Sequence, residues 1–309
     1  MSATGAARHR FITADVFTSR PFAGNQLAVF PDARAIPEEA LAPIAREFNL
    51  SETVFVYPPQ DARHTRRVRI FTPGEELPFA GHPTVGAAWV LAALGEVRLA
   101  GAETRIVLEE GVGPVPVLLR GRGTEPTFSQ LTTAKLPEVG PPPPGRTFLA
   151  ELLGLDPADI LGGMTAPQAV SCGLPFLFVP LRDRDAVKRA RIRMEHWEST
   201  LKSYWAPQLM VFSRDPEQPG ADVRARVFVP GLAVPEDPAT GSAAVALGGY
   251  LAAREAGVAD GELRWLVEQG VEMGRPSYLH VEVEKRGGEI AAVRVGGECV
   301  LVSEGTLAA

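Results

Sequence analysis

This 309-residue chain resembles itself once. Arg67 to Pro78 reads R-V-R-I-F-T-P-G-E-E-L-P, and 157 positions later Arg224 to Pro235 reads R-A-R-V-F-V-P-G-L-A-V-P. Six of the twelve pairs are identical: Arg67/Arg224, Arg69/Arg226, Phe71/Phe228, Pro73/Pro230, Gly74/Gly231 and Pro78/Pro235. The same offset aligns Val54-Phe55 with Val211-Phe212. A shift of half the chain is too long for a solenoid repeat, so duplication of one domain is the natural expectation.

Each copy follows the same local logic. A β-branched and aromatic run (Val68 to Thr72; Val223 to Val229) reads as a strand, Pro-Gly breaks it, and a proline-containing loop follows. A small-residue helix comes next, Pro83 to Leu94 in the first copy and Pro238 to Ala253 in the second. Both are apolar nearly all round, the pattern of a buried rather than a surface helix. The expected architecture is α/β (α+β): two similar domains, each a curved, mostly antiparallel sheet around a central buried helix. The domains are expected at 1–130 and 131–309, with the stretch near 292–309 able to pack back on the first. The Pro141-Pro142-Pro143-Pro144 run reads as a stiff connector between them.

Composition narrows the function. With 45% apolar and 22% charged residues the chain is an ordinary globular protein. Its net charge of −6 and lack of a dense Lys/Arg block argue against a nucleic-acid partner. The longest apolar run, Val85 to Leu94, is too short to suggest a membrane span. Met1 to Gly5 shows no basic segment leading into an apolar one, so a cytoplasmic location is expected. Cys172 and Cys299 lack a Cys-x-x-Cys spacing and read as inert thiols. The five histidines show no metal-ligand spacing, and no dinucleotide or phosphate-loop motif occurs, so neither metal nor cofactor is expected.

Two places carry candidate chemistry. The first helix opens Gly81-His82-Pro83-Thr84 and the second Asp237-Pro238-Ala239-Thr240-Gly241-Ser242. Proline tolerates the first helical position, which sets His82 and Asp237 at or next to the N-caps. Free N–H groups at such ends attract anions, and Gly81, Thr84, Thr240, Gly241 and Ser242 are small enough for a ligand to approach the backbone. His82 titrates near neutrality and suits proton handling; Asp237 reads equally well as a plain cap. Glu52 stands where a helix over about Glu38 to Phe48 hands over to a strand, and reads as either a solvated strand end or a positioned acid/base. At the repeat offset its counterpart is the apolar Leu209.

These pieces together resemble the phenazine-biosynthesis PhzF-like family of the diaminopimelate-epimerase-like fold. The matching segments are Asp15-Val16-Phe17-Thr18 with Pro21-Phe22-Ala23-Gly24-Asn25, then Asn49-Leu50-Ser51-Glu52-Thr53 and Gly81-His82-Pro83-Thr84. Pro235 to Ser242 and Gln269 to Ser277 complete the set. The resemblance implies that Glu52 is the catalytic acid/base, that His82 and Asp237 line the substrate, and that Gly81 and Ser242 contact it. Epimerases and racemases of this fold carry a cysteine at each helix start; this chain has neither, which argues against two-thiol racemisation.

The expected function is a cofactor-independent isomerase that moves a proton within a small carboxylate-bearing substrate held in an interdomain cleft. The alternatives are a non-catalytic small-molecule-binding protein of the same fold, or an epimerase or racemase. A homodimer is expected from the family and from the prevalence of two-fold oligomers.

Overall fold

The computed structural model describes residues 7–232, 234–255 and 257–309. The Met1 to Gly5 stretch read above for a leader lies outside them. The chain divides into two compact units, residues 1–132 with 296–309, and residues 133–295.

The first unit contains β1 (Arg8–Val16), β2 (Asn25–Phe30), α1 (Glu38–Phe48), β3 (Glu52–Tyr57), β4 (Arg66–Phe71) and β5 (Glu76–Leu77). Then follow α2 (Gly81–Ala93), β6 (Glu103–Glu110), β7 (Gly113–Arg122) and β8 (Glu125–Thr132). β1 runs antiparallel to β2, and β2 parallel to β3 across the α1 crossover. β4 pairs antiparallel with β3 and β5 and briefly parallel with β6, which hairpins into β7 and β8.

β3 is buried from Thr53 to Val56, as a strand covered on both faces must be. Alternation sends Phe55 outward to the α1 layer, where it stacks on Phe30 at 5.1 Å and meets Phe71 edge-on. Glu52, Val54 and Val56 therefore face the other way. On the inner side lies α2, buried at every residue from Gly81 to Ala92 as its all-round apolar sequence predicts. Gly86 lets it settle: a Cβ there would stand 2.6 Å from both Leu27 and Val16 side chains.

The second unit contains β9 (Glu138–Val139), α3 (Arg146–Leu153), β10 (Gln168–Ser171), β11 (Pro175–Pro180), α4 (Arg184–Arg189), α5 (Met194–Ser199) and β12 (Gln208–Ser213). Then come β13 (Val223–Val229), β14 (Val234–Asp237), α6 (Gly241–Ala252), β15 (Gly261–Gln269), β16 (Ser277–Arg286) and β17 (Glu289–Gly297). The pairing repeats that of the first unit: β10 antiparallel to β11, β11 parallel to β12, β12 antiparallel to β13, β13 parallel to β15. The last strand, β18 (Cys299–Ala308), pairs antiparallel with β1 of the first unit.

Two identical pairs of the repeat, Arg69/Arg226 and Phe71/Phe228, each join a glutamate outside the matched positions in a clamp. Arg69 grips Glu76 through two bonds of 2.7 and 2.6 Å and lies over Phe71, while Arg226 grips Glu236 at 2.8 and 2.8 Å and lies over Phe228. Bidentate geometry of this kind fixes orientation as well as distance. Both clamps hold the segment leading into the buried helix.

One alignment is corrected. Thr53 faces Phe71 and Leu209 faces Phe228, so the counterpart of Thr53 is Leu209, and that of Glu52 is Gln208. The connection from β12 to β13 is one residue longer: Tyr57 faces Arg67, whereas Ser213 faces Arg224. A one-residue slip exchanges the faces of a strand, which is why the Val54-Phe55/Val211-Phe212 match misleads.

Candidate active site

Asn49 ends α1 in the left-handed conformation (φ 51°), its N–H bonded to Ala45 O at 3.1 Å, and the chain enters β3 three residues later. This turn delivers Glu52 as the first residue of β3, on the strand face that looks toward α2. Its Oε2 lies 3.3 Å from Nε2 of His82, the two side chains being 15% and 5% exposed. The pair makes a close polar contact without hydrogen-bond alignment.

His82 sits in the first turn of α2 rather than at its cap, because Ala80 is the N-cap and offers no side-chain acceptor. The opening N–H groups of α2, Gly81 among them, thus lack a capping side chain. Asn25 Nδ2 lies 3.2 Å from the other ring nitrogen, Nδ1. Burial pulls the His82 pKa down to about 3, against a backbone hydrogen bond to Gln26 that works the other way. The imidazole is neutral at physiological pH.

Asn25 ends the Pro21 to Asn25 segment, where nothing in the sequence alone marks it as a site residue. The turn before it positions it: Asp15 accepts the Phe22 N–H at 2.7 Å, and Phe17 and Phe22 both have positive φ. Gly24 is required there, since a Cβ would stand 2.3 Å from Val16 O.

In the second unit Asp237 is the last residue of β14, and α6 opens only at Gly241 with Thr240 as N-cap. The expectations that Asp237 lies at the cap and that the helix starts at Pro238 are corrected. A residue preceding proline favours extended backbone, and the Asp237 carboxylate is engaged by Thr240 Oγ1 at 2.5 Å. Gln269, fully buried, completes the cluster: Nε2 donates to Asp237 O at 2.7 Å and Thr240 Oγ1 at 3.0 Å, while Oε1 accepts the Thr240 N–H at 3.2 Å. Gly241 and Ser242 form the first turn of α6. The structure thus brings Glu52 to His82 in one unit, and Asp237 to Thr240, Gly241 and Ser242 in the other.

Gln269 was visible only as part of a motif. Its signal is a second repeat: Glu109-Glu110-Gly111-Val112 and Glu268-Gln269-Gly270-Val271, two residues out of step with the main offset. Glu109 accepts the N–H groups of Gln60 and Asp61 at 2.8 Å each, and Glu268 those of Glu217 and Gln218 at 3.0 Å each.

Both cysteines are buried, with burial pushing Cys172 up to about 12 and Cys299 higher still, so neither is a thiolate near neutral pH. Among the described residues no group of three or more His, Cys, Asp or Glu could hold a metal ion, and no helix is long and apolar enough to cross a membrane.

The PhzC-PhzF family of phenazine biosynthesis-like proteins matches residues 14–305. An uncharacterised isomerase of Mesorhizobium japonicum is 40% identical over 96% of this chain and 98% of its own. The trans-2,3-dihydro-3-hydroxyanthranilate isomerase of Pseudomonas aeruginosa is 32% identical over 96% and 98%. Among solved structures, a phenazine biosynthesis protein of the PhzF family from Bacillus anthracis superposes with a TM-score of 0.88 at 25% identity, covering 97% and 99% of the two chains. With its sequence matched almost end to end and its mixed α/β architecture shared, the chain belongs to the PhzC-PhzF family of phenazine biosynthesis-like proteins.

Proposed function

We propose that this isomerase shifts a proton between two carbons of a small carboxylate-bearing substrate, with Glu52 as its acid/base. The observation that carries the reading is the 3.3 Å approach of the Glu52 carboxylate to a neutral, buried imidazole at an uncapped helix opening. A carboxylate takes a proton from substrate carbon, the electron pair left behind moves into the adjacent π system, and the carboxyl group, its proton exchanged with solvent, protonates another carbon of that system. The double bond migrates and no electrons are gained or lost. Such a positioned acid/base is worth about 10²–10⁴ in rate.

His82, being neutral, steadies Glu52 through this close polar contact rather than through charge, and its ring is available to the substrate. The N–H groups of Gly81 and His82, in a first turn with no side-chain cap, supply a place for a carboxylate and for developing negative charge. In the second unit Asp237, held by Thr240 with Gly241 and Ser242 beside it, is the candidate group for a polar contact to a substrate.

A single acid/base fits proton migration better than racemisation, which needs comparable groups on opposite faces. The counterpart of Glu52 is the amide Gln208, which takes up no proton at ordinary pH. The Pseudomonas aeruginosa relative is named for an unsaturated cyclic amino acid, and that compound is the first substrate to try. Incubation in deuterium oxide tests the reading: the product should carry one solvent deuteron, and Glu52→Gln should abolish both turnover and label. Tight binding with no label incorporated by the intact protein would instead make it a binding protein.

A further inference from the structure

Glu110, the last residue of β6, lies outside the proposed chemistry yet is 9% exposed and points at the helix that carries His82. Its Oε1 is 2.6 Å from Thr84 Oγ1, and the same hydroxyl oxygen is 2.7 Å from Ala80 O. A hydroxyl has one proton to give. Ala80 O can only accept, so an ionised Glu110 would leave two acceptors competing for that proton, one close oxygen pair unbridged. Its other oxygen, Oε2, is buried and has no hydrogen-bond partner, a costly arrangement for a full charge.

The second unit shows what the position requires. β6 runs parallel to β4 with Arg67 opposite Glu109, and β15 runs parallel to β13 with Arg224 opposite Glu268. The next residue is Glu110 in one case and Gln269 in the other. Gln269 Nε2 donates to Thr240 Oγ1, which donates to Asp237. The following glycine is pressed against the helix entrance in both: a Cβ on Gly111 would stand 2.7 Å from Pro78 Cα, and one on Gly270 2.5 Å from Pro238 O. A protonated carboxylic acid has the shape and donor of that amide; a carboxylate has only the shape.

We infer that Glu110 is a protonated carboxylic acid that donates to Thr84, which in turn donates to Ala80 O, making Glu110 a positioning residue for the opening turn of α2. Its relevance to catalysis rests on the function proposed above; its protonation does not. Burial pushes the Glu110 pKa up to about 8, consistent with a neutral acid at pH 7. The charged groups nearby are engaged elsewhere. Glu109 is held by His64 and two backbone N–H groups, Asp61 by Arg63, and Arg66 by Glu96; Arg67 lies over Tyr57, and His82 faces Glu52.

The test compares the full-length protein with Glu110→Gln and Glu110→Leu. The infrared difference spectrum at pH 7 between wild type and Glu110→Gln should contain one protonated carboxyl band, lost in the variant and bleached in wild type as pH passes 8. A raised folded pKa makes stability fall as pH rises from the unfolded value through the folded one. The melting temperature of wild type should therefore decline relative to Glu110→Gln between pH 5 and 9. The His82 ring resonances should move in Glu110→Leu and stay in place in Glu110→Gln. A difference spectrum without that band, or parallel melting curves, overturns the assignment whether or not Glu110→Leu folds. A positive spectrum from a protein that turns over no carboxylate leaves the assignment standing and removes only the reaction.

Discussion

Gln208 begins β12 where Glu52 begins β3: each is the residue before the one that faces a phenylalanine of the repeat, Phe228 or Phe71. One unit has an acid at this position and the other its amide. The second acid/amide pair, Glu110 and Gln269, follows the same pattern. At both positions the first unit carries a group that can gain or lose a proton and the second unit carries an amide, an asymmetry that the proposed single acid/base needs.

Glu52→Gln makes the first unit like the second. It should lower kcat by about 10²–10⁴ while leaving the melting temperature within a few degrees, because the amide keeps the shape and the site is partly exposed. Steady-state kinetics and a thermal melt on the same sample decide it; retained turnover contradicts the mechanism.

His82 is neutral when folded and chargeable when unfolded, its pKa depressed to about 3 from 6.5. The unfolded state therefore binds more protons between those values, so stability rises with pH across that window and is lost as pH falls through it. His82→Gln should flatten this slope, by up to about 1.4 kcal/mol per pH unit. Urea melts at pH 4, 5, 6 and 7 would expose parallel curves if the idea is wrong.

Gln269→Leu removes one hydrogen bond each from Asp237 O and from the N–H and Oγ1 of Thr240, while the bond from Thr240 Oγ1 to the Asp237 carboxylate remains. Each buried polar group left unsatisfied costs about 1–3 kcal/mol, so the variant should lose several kcal/mol in denaturant. The effect on KM is expected to exceed that of Ser242→Ala.

Gly86→Ala should destabilise although alanine is the better helix former. Overpacking against Leu27 and Val16 costs about 1–3 kcal/mol, more than the roughly 1 kcal/mol that alanine contributes in a helix. A higher melting temperature would show that α2 has room to move.

Neither cysteine should react with iodoacetamide in the native protein at pH 7.5, and Cys172→Ser with Cys299→Ser should leave kcat unchanged. Both thiols are buried and held protonated. Loss of activity in the double variant would reinstate thiol chemistry.

Much of this protein is local in origin. The α1 span Glu38–Phe48, the buried all-apolar helices and the strand Val223–Val229 follow from periodicity and breakers, which act over a few residues. The motif residues Glu52 and His82 were likewise legible, one by its place at a strand mouth and the other by its poor fit as a cap. What the chain order could not decide was registration. A single added residue before β13 turned Gln208, not Leu209, into the counterpart of Glu52, because side chains alternate every second residue and loop length sets which one comes round. Nor could it show that Asp237 stays in its strand, that Asn25 meets His82, or that Glu110 shares a proton with Thr84. Those facts depend on oxygen and nitrogen atoms brought within 3 Å or so by strands and helices tens of residues apart, and only the folded chain brings them there.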